Sequence, residues 1–196
     1  MNLPNKLTVA RIIMTPLFMA AMLIDFPFHY LVALVLFAAA SFTDMLDGKI
    51  ARARNLVTNF GKFLDPLADK MLTTAAFIGF LAKGFGEGIV WVLFIVLFRE
   101  FMISSLRLVV VSSDKSKVIA ANIYGKLKTV TQMAAIIFGL LVLSLNNEIV
   151  PAIQGTMVES VLYIVFNVLL WASAVAAVIS GIIYMKDSFE FIDPTK

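Results

Sequence analysis

The sequence of 196 residues contains no cysteine and a single histidine, His29. The lack of cysteine excludes disulfides, thiolate zinc sites, iron–sulfur clusters and cysteine nucleophiles. One histidine excludes metal sites built from several histidines. A Ser-His-Asp triad would have to use His29, which is predicted to lie in a short loop away from the acidic residues described below. Any chemistry therefore depends on carboxylates, amines and guanidinium groups, with or without a bound metal.

Charged residues are scarce, at 15% of the chain, whereas apolar residues make up 61%. Typical soluble proteins have about 25% charged and 45–50% apolar residues. A soluble fold of this length has too little interior to bury so much apolar surface, and the mean hydropathy is +0.94. The composition therefore predicts an integral membrane protein. The net charge of +3 comes from basic residues scattered between apolar segments, a pattern that indicates topology rather than a nucleic-acid partner.

Six segments are apolar enough to span a bilayer, which takes about 20 mostly apolar residues. They cover residues 7–25, 29–47, 65–82, 89–111, 129–146 and 160–185. No internal repeat is visible, and no connection is long enough to form a separate soluble domain. We therefore expect one all-α membrane domain over residues 1–196 with six transmembrane helices.

Lysine and arginine are distributed unequally between the two sides of this predicted topology. One side holds Lys6, Arg11, Lys49, Arg52, Arg54, Lys62, Arg107, Lys115, Lys117, Lys126, Lys128, Lys186 and Lys196. Connections on the other side hold only Lys83, while Lys70 and Arg99 lie inside predicted helices. Because basic connections stay in the cytoplasm, this distribution predicts that both termini are cytoplasmic.

Four aspartates lie where the second and third predicted helices meet the cytoplasm. Asp44 and Asp47 are three residues apart, and Asp65 and Asp69 are four apart, so each pair shares one face of its helix. Four carboxylates in a partly dry pocket repel one another unless some are protonated or a cation is bound. An all-oxygen ligand set favours Mg²⁺ or Mn²⁺, and four carboxylates are enough for two ions.

Small and basic residues accompany these aspartates. Gly48 directly follows Asp47, and Gly61 precedes Asp65 by four residues; the lack of a side chain lets a ligand or a neighbouring helix approach closely. Arg52 lies about one turn beyond Asp47, where it can contact a phosphate. Together these features predict a site for a phosphate-bearing nucleotide. The alternative is an ion or proton carrier, since acidic clusters in membranes also serve transport.

Residues 44–69 read Asp-Met-Leu-Asp-Gly-Lys-Ile-Ala-Arg, eight residues, Gly61, three residues, Asp65, three residues, Asp69. This run resembles the signature D-x2-D-G-x2-A-R-x8-G-x3-D-x3-D of the CDP-alcohol phosphotransferase family, with every fixed position matched. The resemblance implies a two-metal site with Asp69 as the catalytic base. Its implied metal ligands are Asp44, Asp47, Asp65 and Asp69. Its implied contacts to the CDP moiety are Gly48, Ala51, Arg52 and Gly61.

Outer motifs are similar to those of family members that transfer a phosphatidyl group from CDP-diacylglycerol to sn-glycerol 3-phosphate and release CMP. They are Asn2-Leu-Pro-Asn5-x-Leu-Thr8-x-x-Arg11, the stretch from Arg99-Glu100 through Ser105 to Arg107, and Gly125-Lys126-x-Lys128-Thr129-x-x-Gln132. The resemblance implies a multi-pass protein of a bacterial-type cytoplasmic membrane, with its active site facing the cytoplasm. Inositol phosphate, serine and phosphatidylglycerol stay open as alternative acceptors, and the oligomeric state stays open with a homodimer as one alternative. We interpret Asn5 as the N-cap of the first helix.

The spacing of basic residues supports an acceptor site. Arg99 lies eight residues before Arg107, about 12 Å along a helix, so Arg99 and Glu100 can reach the same cavity as the aspartates. Arg107, Lys126 and Lys128 are expected at its mouth. Because a dianionic alcohol phosphate needs a cationic surface, we expect Arg99, Arg107, Lys126 and Lys128 to bind the acceptor phosphate. As alternatives, Arg99 pairs with Glu100, and the two lysines are topological anchors.

Overall fold

The computed structural model describes residues 2–53, 58–112 and 123–188, which form an all-α polytopic membrane protein. In these ranges it has six long helices: α1 (Leu3–Leu23), α2 (His29–Ala53), α3 (Asn59–Ala82), α4 (Ile89–Ser112), α5 (Ile123–Ser144) and α6 (Met157–Ser188). A π-helical turn, Leu145–Ile149, and a 3₁₀ turn, Pro151–Ile153, connect α5 to α6. Each predicted segment overlaps one helix. The helices α3 and α5 begin earlier than the expected starts at residues 65 and 129.

Five of the described helices, α1, α2, α4, α5 and α6, are long and apolar enough to cross a membrane. Many of their large apolar side chains are exposed on the outer surface, among them Val35, Phe94 and Val168, as is required where lipid rather than water surrounds a helix. The helix α3 differs because its first half carries Asp69 and Lys70 among other charged residues. The first half of α3 is therefore polar, unlike the apolar segments of the other five helices.

Aromatic rings form much of the core. The helix α1 packs against α2 and α3, while α6 packs against α4 and α5. The rings of Phe80 on α3 and Phe166 on α6 are fully buried with centroids 5.3 Å apart. A Cβ atom at Gly139 of α5 would lie 2.8 Å from Cζ of Phe80 and 2.4 Å from Cε2 of Phe166. Only glycine therefore allows α5 to approach the two rings this closely.

The start of α1 is tied to the start of α3. The side chain of Asn2 accepts a hydrogen bond from the N–H of Asn5 at 3.1 Å, so the N-cap is Asn2, and the expectation that Asn5 caps this helix was wrong. Instead, Oδ1 of Asn5 accepts a hydrogen bond from Oγ1 of Thr58 at 3.1 Å. Thr58 caps α3 by accepting from the N–H of Gly61 at 3.0 Å. Asn5 therefore links α1 to the turn that precedes the second aspartate pair.

The N-terminal end of α2, opposite the end that carries the aspartates, is capped by a residue that lies far away in the sequence. The N–H groups of Tyr30 and Leu31 donate to the two carboxylate oxygens of Glu148 at 2.6 and 2.8 Å. Ser144 also donates to this carboxylate, at 3.2 Å. The first N–H groups of a helix lack partners within it, and a negative charge complements its dipole. The connection after α5 therefore fixes the helix that carries the first aspartate pair.

Candidate active site

One aspartate from each pair is described with its side chain. Asp44 lies toward the end of α2 and is 47% exposed, and Asp69 lies in the first half of α3 and is also exposed. The carboxyl group of Asp69 lies within electrostatic range of Asp44 and of Lys128. The structure thus brings the two helices together so that the charges of the two carboxylates influence each other.

Five signature residues lie outside the part of the structure in which side chains are described: Asp47, Gly48, Ala51, Arg52 and Asp65. Gly61 is described and is buried in the first turn of α3. Among the described side chains, no three acidic or histidine residues gather into a metal-binding group. The helical backbone nevertheless places Asp47 about one turn after Asp44, and Asp65 about one turn before Asp69.

Arg11 of α1 forms an ion pair with Asp44, through Nη1 and Oδ1. The arginine side chain is fully buried, while the aspartate remains half-exposed. The interpretation of Arg11 as part of the positive-inside distribution does not account for this burial. A buried guanidinium instead fixes the orientation of one carboxylate of the signature, because a bonded carboxylate loses rotational freedom.

A cavity of about 900 Å³ opens beside Asp69 and is lined by residues of α3, α4, α5 and α6. Its basic side chains are Lys70, Arg99, Arg107, Lys126 and Lys128, and its acidic ones are Asp69 and Glu100. The four residues expected to bind an acceptor phosphate are all in this lining. The excess of positive charge concentrates anions from solution, so the cavity is suited to an anionic ligand that must approach Asp69.

Glu100 of α4 lies among three of these cations. Its Oε1 accepts hydrogen bonds from Nη1 of Arg99 at 2.9 Å and from Nζ of Lys128 at 2.6 Å. Its Oε2 is 3.7 Å from Nζ of Lys70, and Lys70 also donates to Oγ of Ser104. A single carboxylate therefore joins α3, α4 and α5 at the wall of the cavity.

The predicted depths of the basic residues need one correction. Lys128 was expected at the mouth, but its side chain is only 8% exposed because it points to Glu100. Arg107 and Lys126 are exposed, as the mouth position requires. The guanidinium carbon of Arg107 lies 5.7 Å from the ring centroid of Tyr184, within the range of a cation–π interaction.

Arg99 makes the pairing that was considered as an alternative to phosphate binding. Besides its bond to Glu100, it donates from Nη2 to Oγ of Ser180 on α6 at 2.6 Å. Its side chain is 13% exposed, and its Nε is buried without a hydrogen-bond acceptor in the described part of the chain. Arg99 therefore holds α4 against α6.

Several residues of the site are not singled out by the sequence. Lys70 had a usable signal, because a lysine next to Asp69 in a membrane helix is costly unless it has a polar partner. Ser104, Ser180 and Tyr184 have no such signal, since these residue types are common in apolar helices. Their place in the cavity depends on how the helices pack.

Comparisons with known proteins show which family the sequence resembles. The family model described as CDP-alcohol phosphatidyltransferase matches residues 1–183. The chain is 39% identical to CDP-diacylglycerol–glycerol-3-phosphate 3-phosphatidyltransferase of Bacillus subtilis (strain 168), with 96% of each chain covered. A protein of the same name from Rickettsia bellii (strain RML369-C) is 38% identical, with 94% of each covered. Cardiolipin synthase (CMP-forming) of Oryza sativa subsp. japonica is 32% identical over 95% of this chain and 57% of the rice protein.

Proposed function

The chain belongs to the CDP-alcohol phosphatidyltransferase family, and from this premise we propose that it transfers the phosphatidyl group of CDP-diacylglycerol to sn-glycerol 3-phosphate. The products are phosphatidylglycerol phosphate and CMP. The names of the Bacillus and Rickettsia relatives state this donor and this acceptor. The observation that carries the proposal is the cavity in which Asp69 shares a wall with five basic side chains.

The charge of the cavity supports a phosphorylated acceptor. Glycerol 3-phosphate is a dianion near neutral pH, and arginine and lysine form strong charge-assisted hydrogen bonds with phosphate oxygens. Serine carries no phosphate, so it would use none of this excess positive charge. Arg107 and Lys126 are exposed at the mouth, where a soluble acceptor arrives, and Arg99 and Lys128 lie deeper. Basic side chains at both depths attract a soluble phosphate first to the mouth and then into the cavity.

The reaction needs a base close to the acceptor hydroxyl. We assign this role to Asp69, which lies in the lining of the cavity. Its carboxylate takes the proton from the primary hydroxyl of glycerol 3-phosphate. The oxygen then attacks the phosphorus that bears diacylglycerol, and the bond from that phosphorus to the CMP oxygen breaks. Most of the rate enhancement comes from positioning and charge stabilisation, as in phosphoryl transfer generally.

Members of this family generally depend on divalent metal ions, and the described carboxylates fit such ions. The side chains of Asp44 and Asp69 are partly accessible, and carboxylate oxygens are ligands that Mg²⁺ and Mn²⁺ prefer. We propose that Asp44, Asp47, Asp65 and Asp69 hold two ions. When bound, they supply positive charge that offsets the pyrophosphate and the departing CMP.

The remaining assignments concern the nucleotide and the membrane. We propose that Gly48, Ala51, Arg52 and Gly61 surround the CDP moiety. We further propose that α3 also crosses the membrane, which brings the five spans to six, that both termini are cytoplasmic, and that residues 1–196 form one domain. The cavity then opens to the cytoplasm of a bacterial-type cytoplasmic membrane, where a soluble glycerol phosphate is accessible. The basic connections on this side support that orientation.

The decisive experiment is an acceptor panel with the purified protein in mixed micelles that contain CDP-diacylglycerol and Mg²⁺. The panel holds sn-glycerol 3-phosphate, inositol 1-phosphate, serine and phosphatidylglycerol. We expect CMP release that requires an acceptor and is fastest with glycerol 3-phosphate, with the glycerol label recovered in lipid. If none of the acceptors supports CMP release, the proposed transferase activity is wrong; an ion or proton carrier would likewise release no CMP.

Other outcomes of this panel would correct the acceptor alone. A preference for inositol 1-phosphate would keep the phosphate-binding surface and change its ligand. A preference for phosphatidylglycerol would assign the activity named for the rice relative.

A further inference from the structure

Glu100 is a negative charge in a cavity that otherwise suits an anion. Its side chain is 17% exposed and it lies between Arg99, Lys128 and Lys70. A carboxylate at this place repels a phosphate ligand, so its own charge does not favour acceptor binding. Its role must therefore lie in its contacts with the three cations around it.

Two of these cations are buried and need a negative partner. The side chains of Arg99 and Lys128 are almost fully enclosed, and two like charges so close repel each other strongly in a region of low dielectric constant. A buried charge without a partner is costly. Glu100 accepts a hydrogen bond from each of them on the same oxygen, Oε1. It therefore keeps both cations in one place before any ligand arrives.

Lys70 extends this arrangement toward the proposed base. It follows Asp69 directly on α3, its side chain is 37% exposed, and it is held by Ser104 and by the second oxygen of Glu100. Ser104 in turn donates to the carbonyl oxygen of Glu100 at 2.6 Å. These contacts fix an ammonium group between the cavity wall of α4 and the helix that carries Asp69.

We propose that Glu100 is a positioning residue that holds Arg99 and Lys128 in the geometry that binds the acceptor phosphate, and that Lys70 is a further cation of this pocket. The inference deepens the proposed function and rests on it for the identity of the acceptor. It separates two physical effects. If only net charge mattered, removing the carboxylate would strengthen phosphate binding; if positioning matters, removing it weakens binding.

The test is Glu100→Gln, which keeps the size of the side chain and removes its charge. We expect the KM for glycerol 3-phosphate to rise at least about 10-fold, as for the loss of a charge-assisted contact, while the KM for CDP-diacylglycerol changes little. Glu100→Asp keeps the charge and should restore part of the loss. The matched control is Glu87→Gln, the same change at an exposed residue outside this cavity. An acceptor KM that is unchanged or lower in Glu100→Gln would overturn the inference.

A second variant tests the pocket independently if Glu100→Gln does not fold. Lys70→Met removes a half-exposed partner of the carboxylate and leaves Arg99 and Lys128 in place. It should raise the acceptor KM several-fold without changing the KM for CDP-diacylglycerol. In a double variant, Glu100→Gln with Lys128→Met, the loss should be smaller than the sum of the two single losses in free energy, since the carboxylate acts in part through that lysine. An unchanged acceptor KM in Lys70→Met, or additive losses in the double variant, would contradict the proposal.

Binding of inorganic phosphate to the detergent-solubilised protein, measured by titration calorimetry, needs no turnover. The wild type should bind it more tightly than Glu100→Gln or Lys70→Met. If this order holds while no acceptor supports CMP release, the proposed reaction has failed and the pocket stands. If glycerol 3-phosphate is used but phosphate binds equally well to all three proteins, the reaction stands and the inference has failed.

Discussion

Arg11 of α1 and Asp44 of α2 form an ion pair in which the arginine is fully buried and the aspartate still reaches solvent. The same helix contributes Asn5, which bonds to Thr58 at the start of α3. The helix α1 therefore contacts both halves of the aspartate signature, although it contains no residue of that signature. We expect α1 to position the site indirectly: it contacts no substrate itself but fixes the orientation of residues that do.

The first prediction concerns Arg11. Arg11→Gln should lower turnover about 10-fold or more and raise the Mg²⁺ concentration needed for half-maximal activity, because Asp44 loses a charge-assisted bond that orients it. CMP release should be measured over a Mg²⁺ titration and normalised to folded protein, because loss of a buried charge partner also costs stability. Lys6→Gln, an exposed change on the same helix, is the control. An unchanged Mg²⁺ requirement would show that Arg11 has no influence on the metal ligands.

The second prediction concerns metal removal. EDTA should abolish CMP release, and excess Mg²⁺ or Mn²⁺ should restore it, because without cations the four aspartates repel one another and the pyrophosphate. Each of the variants Asp44→Asn, Asp47→Asn and Asp65→Asn should likewise abolish turnover, while the protein is still produced in the membrane. Full activity in the presence of the chelator would exclude a metal role for these aspartates.

The third prediction separates the roles of Asp69. If it is the base, Asp69→Asn should reduce kcat by about 10²- to 10⁴-fold, the usual contribution of a positioned base. Binding of CDP-diacylglycerol should change much less. Equilibrium binding of the donor and single-turnover kinetics measure the two effects separately. A variant that no longer binds the nucleotide would point to a metal-holding or structural role instead.

The fourth prediction concerns the mouth of the cavity. Arg107→Ala and Lys126→Ala should each raise the KM for glycerol 3-phosphate by up to about 10-fold, because each removes a charge-assisted contact that solvent partly screens at these exposed positions. The KM for CDP-diacylglycerol should stay constant. Lys186→Ala, a change on the exposed end of α6 outside the cavity lining, is the control. If the donor KM rises instead, these two residues belong to the nucleotide pocket.

The fifth prediction concerns packing. Gly139→Ala should destabilise the protein by about 1–3 kcal/mol, the usual cost of inserting a methyl group into a close-packed core. The new Cβ would lie within 3 Å of both Phe80 and Phe166, whose rings are fully buried. Gly125→Ala on the same helix is the control, since its Cβ would meet only atoms 3.8 Å away or more. Thermal unfolding in detergent should show a lower midpoint for the first variant alone.

Much of the fold follows from the sequence because a bilayer requires long apolar helices. All six predicted segments are helical over most or all of their length in the described ranges. The shared faces of Asp44 with Asp47 and of Asp65 with Asp69 depend only on helical spacing, so they too are predictable. The assignment of α3 as a span stays a prediction, because its charged first half makes composition alone insufficient.

The contacts between helices are less predictable, because the direction of a side chain around its helix axis is fixed by packing. Lys128 is separated from Glu100 by 28 residues, and a count of basic residues cannot distinguish a buried partner of a carboxylate from an exposed anchor. The hydrogen bond between Thr58 and Asn5 also depends on how the helices pack. It joins two helix starts, and the local sequence around Asn5 indicates only a capping role.

The bond from Glu148 to the first turn of α2 has a consequence for biosynthesis. Tyr30 and Leu31 leave the ribosome long before residue 148 is made, so their N–H groups must be served by water or lipid headgroups while the nascent chain inserts. The helix that carries the first aspartate pair reaches its final anchoring only after α5 has been synthesised. A chain truncated before residue 148 would insert its early helices yet lack this anchor, and the order of synthesis thereby delays a complete active site until the protein is nearly finished.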